Sequence, residues 1–206
     1  MEQESIYGQY EESLEQVMNL LKERLEETDR IFFAEHGEHI YEHISARVKS
    51  DASMREKLER RGLPQTPRAA MKELTDSVGL RIVCAFIDDI YAIVDFLKGY
   101  EDIVVKEEKD YIRHSKDNGY RSYHMILEMS APYEDVEGNN PGKFYIEIQL
   151  RTIAMDSWAS LEHKLKYKKD IPNQELIVSE LKRCADEMMS CDLSMQTIRD
   201  LIMHES

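Results

Sequence analysis

The segment KFYIEIQLRT, residues 143–152, alternates apolar Phe144, Ile146, Ile148 and Leu150 with Tyr145, Glu147, Gln149 and Arg151. In a strand this puts an acid, an amide and a base in a row on one face, opposite a wholly apolar one. Such a face either meets water or lines a site, and the period alone leaves both open. A second group lies in ARVKSDASMREKLERR, residues 46–61. Arg47 and Lys49 stand two apart on a candidate strand, and Ser53, Lys57 and Arg60 stand at i, i+4 and i+7 on a candidate helix, so each set shares one face. Cations gathered at one strand-to-helix corner suit a triphosphate, which carries about four negative charges. An exposed basic helix face has the same composition.

Two further groups follow. In TDSVGLRIVC, residues 75–84, Asp76 precedes a candidate strand, Gly79 permits close backbone approach, and Arg81 projects from the strand start. A carboxylate here could ligate a divalent cation, which binds nucleotide phosphates through one or two protein carboxylates, with Glu147 as the second. Asp76 serves equally well as a turn cap. KDNGYRSYHMI, residues 116–126, sets Lys116, Tyr120, Arg121 and His124 around an Asn-Gly turn. An aromatic ring beside cations suits a stacked nucleobase with phosphates nearby, and a hairpin with Tyr120 and Tyr123 packed on the sheet explains the same residues.

The elements that must position these groups can be read from periodicity. Tyr7, Tyr10, Leu14, Val17, Leu21 and Leu25 recur at helical spacing and predict a helix over 6–33. HISARVK, 43–49, predicts a strand, followed by a helix from about Ala52 to Arg61 that Gly62 and Pro64 end. GLRIVCAF, 79–86, is apolar on both faces and predicts a central strand, with Asp88 and Asp89 capping a helix in IYAIVDFLK. Strands are expected at 103–111, 121–129 and 143–151, a hairpin loop at 138–142, and helices over 152–168 and 173–203. The result is one α+β domain over 1–206. It comprises an N-terminal helical extension (1–38), a core (40–170) with a mixed sheet of about five strands flanked by helices, and a C-terminal helix (171–206).

With 206 residues the chain can bury a core without staples, and its net charge of −14 disfavours nucleic acid and anionic membrane except where cations gather locally. Residues 44–61 gather them, with Arg47, Lys49, Arg55, Lys57, Arg60 and Arg61 against Asp51, Glu56 and Glu59. Cys84, Cys184 and Cys191 lack CxxC spacing and are expected as free thiols in a cytoplasmic protein. No apolar run approaches the ~18 residues of a membrane span, and the acidic N-terminus lacks the plan of a signal peptide.

Taken in order, ARVKSDASMREKLERRG, DSVGLRI, NGYRSYH and EIQLRTIAMDSWASLEHKLKYK resemble the synthetase domain of the RelA/SpoT family, and the short length is similar to the stand-alone small alarmone synthetases of bacteria. The resemblance spans roughly residues 40–170. It implies a nucleotidyltransferase-like fold and transfer of pyrophosphate from ATP to the ribose 3′-hydroxyl of GDP or GTP, giving ppGpp or pppGpp, with no hydrolase half. It also implies that Arg47, Lys49, Ser53, Lys57, Arg60 and Arg81 hold ATP, that Asp76 and Glu147 hold Mg2+ with Glu147 the candidate base, and that Tyr120 stacks on the acceptor guanine. Lys116, His124, Gln149 and Asp156 complete the acceptor pocket. Some relatives carry Asn at the position of Asp156, and a carboxylate there can accept from the guanine N1–H and N2–H2 edge. Glu42-His43 stands where some relatives have Phe next to Glu in a regulatory cleft, which puts activation by alarmone in doubt. Relatives are often homotetramers.

Other readings compete. A toxin-like relative would modify tRNA ends or adenine nucleotides, although tRNA needs a more extensive basic surface than this chain offers. A non-catalytic nucleotide sensor would keep the fold and lose one of the acids. His36, His39 and His43 could share a helical face and bind zinc or nickel, but Gly37 argues against one continuous helix. His163 lies on one helix face with Asp156, Ser160 and Tyr167, opposite Trp158, Leu161 and Leu165, either lining the pocket or touching the sheet. Ile177, Leu181, Cys184, Met188, Cys191, Met195, Ile198 and Ile202 follow a heptad seam that would pack on the N-terminal helix or the sheet, or else join subunits.

Overall fold

A computed structural model describes residues 5–166 and 173–204. A helical turn at Gly8–Tyr10 leads into α1 (Glu11–His36), followed by β1 (His43–Val48), α2 (Asp51–Arg61), β2 (Val78–Cys84) and α3 (Ile87–Gly99). Then come β3 (Ile103–Asp110), β4 (Tyr123–Ala131), β5 (Gly142–Thr152), α4 (Ile153–Lys166) and α5 (Gln174–His204). The strands form one mixed sheet in the order β1-β2-β5-β4-β3; β2 and β5 run parallel and the other neighbours antiparallel.

The expected strands all form, with shifted ends. β4 begins at Tyr123 rather than 121, so Tyr120, Arg121 and Ser122 belong to the approach loop and can bend over the sheet. α1 starts at Glu11, five residues later than expected, after Gly8 takes a left-handed φ of 55°, and it runs on to His36, where Gly37 closes it at φ 75°. Gly62 closes α2 in the same way at φ 66°. Asp89 caps α3 by accepting from the Phe86 N–H at 3.2 Å. The π-helical turn at Ala69–Glu73 had no signal in the periodicity.

Register explains the division of labour between the two sheet faces. Val48, Val78, Ile146 and Leu127 align across the strands, as do Ala46, Leu80, Ile148 and Met125. With Leu14, Val17, Leu21 and Leu25 of α1 and Ile90, Ile93 and Leu97 of α3, the β2, β5 and β4 members of these rows form the buried core, and the half-buried Ala46 and Val48 pack against its edge. The opposite face carries Arg47, Gly79 and Glu147 in one row and Ser45, Arg81, Gln149 and His124 in the next.

α5 docks on α4, on the first turn of α3 and on the end of β5. Arg199 pairs with buried Asp89 at 2.6 Å and Glu38 at 3.3 Å, Asp192 accepts from the Thr152 hydroxyl at 2.6 Å, and the Leu181 carbonyl accepts from the Trp158 indole at 2.9 Å. The expectation that the heptad seam packs on α1 or the sheet is therefore corrected. Cys184 and Cys191 are exposed, and Met195, Ile198 and Ile202 are at least half exposed, on the side turned away from the domain. Leu161, Leu165 and His163 of α4 are exposed as well, while Trp158 is buried; Tyr167 and the end of the expected 152–168 helix lie outside the described residues.

Candidate active site

The polar sheet face opens as a cleft of about 260 Å³ lined by Ser45, Ala46, Arg47, Gly79, Leu80, Arg81, Glu147 and Gln149. Gly79 is why there is room. It sits in register between Arg47 and Glu147, and a Cβ built on it would meet nothing within 4 Å. The glycine thus leaves an opening in the middle of a row whose neighbours are a cation and an acid.

Cations collect on the β1 side. Asp76, two residues ahead of β2, receives the ammonium groups of Lys49 and Lys57 on the same oxygen, Oδ2, the latter at 2.6 Å. Burial pushes the Asp76 carboxyl up, but the hydrogen bonds and charge of the two lysines outweigh it and hold the acid below the usual carboxylate range. Oδ1 is buried and has no hydrogen-bond partner. A buried carboxylate oxygen left without a donor is the kind of atom a hard cation satisfies, so Asp76 fits a magnesium site.

The corner itself is braced from far away in sequence. The fully buried Tyr7 donates its hydroxyl to the Lys49 carbonyl at 2.8 Å, and the Lys49 N–H donates to the Ser77 carbonyl at 2.8 Å. Asp51, at the start of α2, accepts the Ile6 N–H at 2.6 Å and pairs with Arg55 at 2.8 Å. Ser53 is exposed and hydrogen-bonded to Ser50 at 2.9 Å. Arg60, expected on the Lys57 face, extends into solvent beside Glu56 at 3.8 Å. Lys57 is thus the one member of the expected helix-face triad that this structure joins to Asp76.

Aromatic groups collect on the β4 side. The ring of Tyr120 lies edge-on to His124 (5.8 Å), Tyr111 (6.1 Å) and Trp158 (6.3 Å). Lys116 places its ammonium 4.6 Å from the Tyr111 ring centre and 4.8 Å from that of Tyr120. Beneath them, Arg151 donates to the Tyr120 hydroxyl at 2.8 Å, to Gln149 Oε1 at 3.1 Å and to Asp156 Oδ1 at 2.9 Å. Because Tyr120 Oη accepts from Arg151, its own proton is available to His124 Nε2, 2.8 Å away. That assigns the His124 ring as neutral with Nε2 the acceptor, in agreement with a pKa lowered to about 4 by burial and by the charges of Arg151, Lys116 and Lys109.

Glu147 lies on the floor between the two halves, its Oε2 accepting from Gln149 at 3.2 Å. Arg121 takes no part in the pocket: it donates to the Ile112 carbonyl at 3.1 Å and pairs with Asp186 of α5 at 2.8 Å. Glu162 accepts from Asn118 of the Tyr120 loop at 3.1 Å. Two residues given no site role by sequence reasoning, Arg151 and Tyr111, belong to the aromatic side. Arg151 carried a usable signal, since it continues the period of Glu147 and Gln149; Tyr111 did not. His36, His39 and His43 separate because Gly37 ends the helix, and His39 pairs instead with Asp29 at 2.7 Å. Among the described residues no three potential metal ligands of the His, Cys, Asp or Glu type cluster, and no helix is long and apolar enough to cross a membrane.

Comparison with known proteins agrees with this layout. Residues 46–172 match the family model described as a region found in RelA / SpoT proteins. The chain is 45% identical over 153 residues to GTP pyrophosphokinase YwaC of Bacillus subtilis, covering 73% of this chain and 70% of that protein. It is 34% identical over 184 residues to GTP pyrophosphokinase YjbM of the same organism, covering 89% and 84%. Among solved structures, small alarmone synthetase 1 from Bacillus subtilis bound to its product pppGpp superposes with a TM-score of 0.78 at 34% identity, covering 92% of this chain and 94% of that one.

Proposed function

The chain belongs to the RelA/SpoT family, and on that premise we propose that it is a GTP pyrophosphokinase that moves the β,γ-pyrophosphate of ATP to the ribose 3′-hydroxyl of GDP or GTP. The observation that carries this reading is the position of Glu147, on the floor of the cleft between a cationic corner and an aromatic, cation-edged pocket. Arg47, Lys49, Lys57 and Arg81 take the donor polyphosphate, Ser53 and Arg60 reach it from α2, and Tyr120 stacks on the acceptor base. Lys116 takes the acceptor phosphates, and His124, Gln149 and Asp156 complete that pocket. The acceptor O3′ bonds to the β-phosphorus, the α,β-bridging P–O bond breaks with its electrons leaving on AMP, and the hydroxyl proton passes to the Glu147 carboxylate. Asp76 and Glu147 would hold Mg2+, which when bound supplies positive charge beside the transferring group. Positioning and charge stabilisation carry most of such a barrier.

The finer assignments follow the same reading. The outward row of Cys184, Cys191, Met195, Ile198 and Ile202 suits a contact between copies of this chain, as in a homotetramer, and the free thiols suit the cytoplasm. The decisive experiment incubates purified protein with ATP and Mg2+ and, in parallel, GDP, GTP, ATP or tRNA as acceptor. Product and AMP are expected with the guanine nucleotides, and Glu147→Gln is expected to abolish transfer while the thermal unfolding midpoint holds. Turnover only with tRNA or adenine nucleotides would refute the acceptor, and undiminished turnover in Glu147→Gln would remove Glu147 from the mechanism.

A further inference from the structure

Residues 6 and 7, ahead of α1, are tied to the corner where β1 gives way to α2. Ile6 and Tyr7 are both buried in the core, and Gly8, at φ 55°, takes the chain out of the helical path just after them. The Ile6 N–H donates to Asp51 Oδ1 at 2.6 Å, and the Tyr7 hydroxyl donates to the Lys49 carbonyl at 2.8 Å. Lys49 has its own N–H on the Ser77 carbonyl at 2.8 Å, so the peptide groups on either side of its Cα are held by two different segments. Its ammonium group meets that of Lys57 on Asp76 Oδ2, and both lysines are only about one-fifth exposed. Two cations converging on one oxygen repel each other, so the backbone that carries them has to fix where each one stands.

We propose that Tyr7 is a positioning residue for the donor polyphosphate: its hydroxyl fixes the Lys49 peptide, and with it the point from which the Lys49 ammonium reaches the phosphates. This rests on the donor corner proposed above. A phosphate clamp gains from cations set in advance, because every long side chain that must be ordered on binding costs affinity. Lys49 lies one residue beyond β1 and two before α2, outside both regular elements, and the tyrosine supplies a hold at its carbonyl from a third segment. Removing the one oxygen atom of the Tyr7 hydroxyl takes that donor away and keeps the ring in the core. The acceptor pocket stands on β4, on the far side of β5 from this corner, so the loss falls on one substrate and spares the other. One such hydrogen bond is worth a factor of about two to ten in an equilibrium. Lys49 shares the phosphates with Arg47, Lys57 and Arg81, so donor binding is expected to weaken about three- to fivefold.

Isothermal titration tests this on the full chain, with Mg2+ and the α,β-methylene analogue of ATP, whose α,β bridge cannot break, and with GDP in a separate titration. Tyr7→Phe is expected to weaken the analogue about three- to fivefold and to leave the GDP dissociation constant unchanged. In turnover the KM for ATP should rise in step while the KM for GDP holds. Tyr100→Phe is the control for loss of a tyrosine hydroxyl as such: Tyr100 Oη lies 2.8 Å from the Thr28 hydroxyl of α1, and this variant should bind both nucleotides as the parent does. Asp51→Ala, which removes the acceptor of the Ile6 N–H, is expected to show the same donor-only loss, and it decides if Tyr7→Phe does not fold. Analogue binding in Tyr7→Phe equal to that of the parent, or equal losses for analogue and GDP, would overturn the role of Tyr7 and leave the proposed function standing. A parent that binds GDP but not the analogue would overturn the donor corner and this inference with it.

Discussion

His124 should make the stability of this protein fall on mild acidification, by an amount set by its burial among cations. An ordinary histidine titrates at 6.5, and His124 in the folded chain titrates at about 4. Burial is the largest cause, followed by Arg151, Lys116 and Lys109, and the Tyr120 hydroxyl occupies Nε2 in the neutral form. Because the folded value lies below the unfolded one, the stabilisation is fully present above pH 6.5 and is lost as the pH falls toward 4. The whole interval corresponds to roughly 3 kcal/mol at 1.36 kcal/mol per pH unit, of which about 2 kcal/mol is gone by pH 5. Carboxylates elsewhere also titrate, so the measurement is a difference. Urea unfolding of the parent and of His124→Gln, which keeps an acceptor for Tyr120 and cannot be protonated, is followed from pH 8 to pH 4.5. The stability gap between them should shrink by about 2 kcal/mol between pH 8 and pH 5. Curves that stay parallel to within about 0.5 kcal/mol would refute the neutral, cation-crowded histidine.

Two further outcomes follow from close contacts. Asp76→Asn leaves the ammonium groups of Lys49 and Lys57, each about one-fifth exposed, facing each other without an anion. It should cost about 2–4 kcal/mol and lower the melting temperature by roughly 4–15 °C, with ATP added without Mg2+ restoring part of the loss in a thermal-shift assay; an unchanged melting temperature would remove Asp76 as the counterion. Gly119→Ala puts a Cβ 2.6 Å from the Ala185 Cβ at a backbone φ of 88°, so α5 or the Tyr120 loop must shift. A loss of about 2–4 kcal/mol is expected, with a coupling of about 1 kcal/mol to Ala185→Gly in a double-mutant cycle; strict additivity would show that loop and helix do not touch in solution.

Much of this architecture could be read from the amino-acid order, because burial imposes a period of two on strands and 3.6 on helices. Phe144, Ile146, Ile148 and Leu150 all turn to the core as their alternation requires, and Glu147 and Gln149 share the other face. What escaped was set by contacts without a period. The inner face of α5 was missed because small and polar residues, Ala185, Asp192 and Arg199, share the contact with Met188, while Cys184, Cys191, Met195, Ile198 and Ile202 of the apolar heptad are exposed. Arg60 and Lys57 share a helical face in sequence, yet only Lys57 is near enough to Asp76 to be drawn in. The bracing of Lys49 by Tyr7 spans 42 residues and leaves no local trace.

The parallel pairing of β2 with β5 has a consequence for how the chain is made. Val78 aligns with Ile146, a separation of 146 − 78 = 68 residues, so at about 5–20 residues per second a ribosome needs roughly 3–14 s between adding the two. Throughout that interval the nascent β2 has β1 on one side and an open edge on the other, with Leu80 and Ile82 uncovered by β5. The cationic corner can assemble early, but Glu147 reaches it only when the last strand docks, so the unfinished polypeptide is adhesive before it is active.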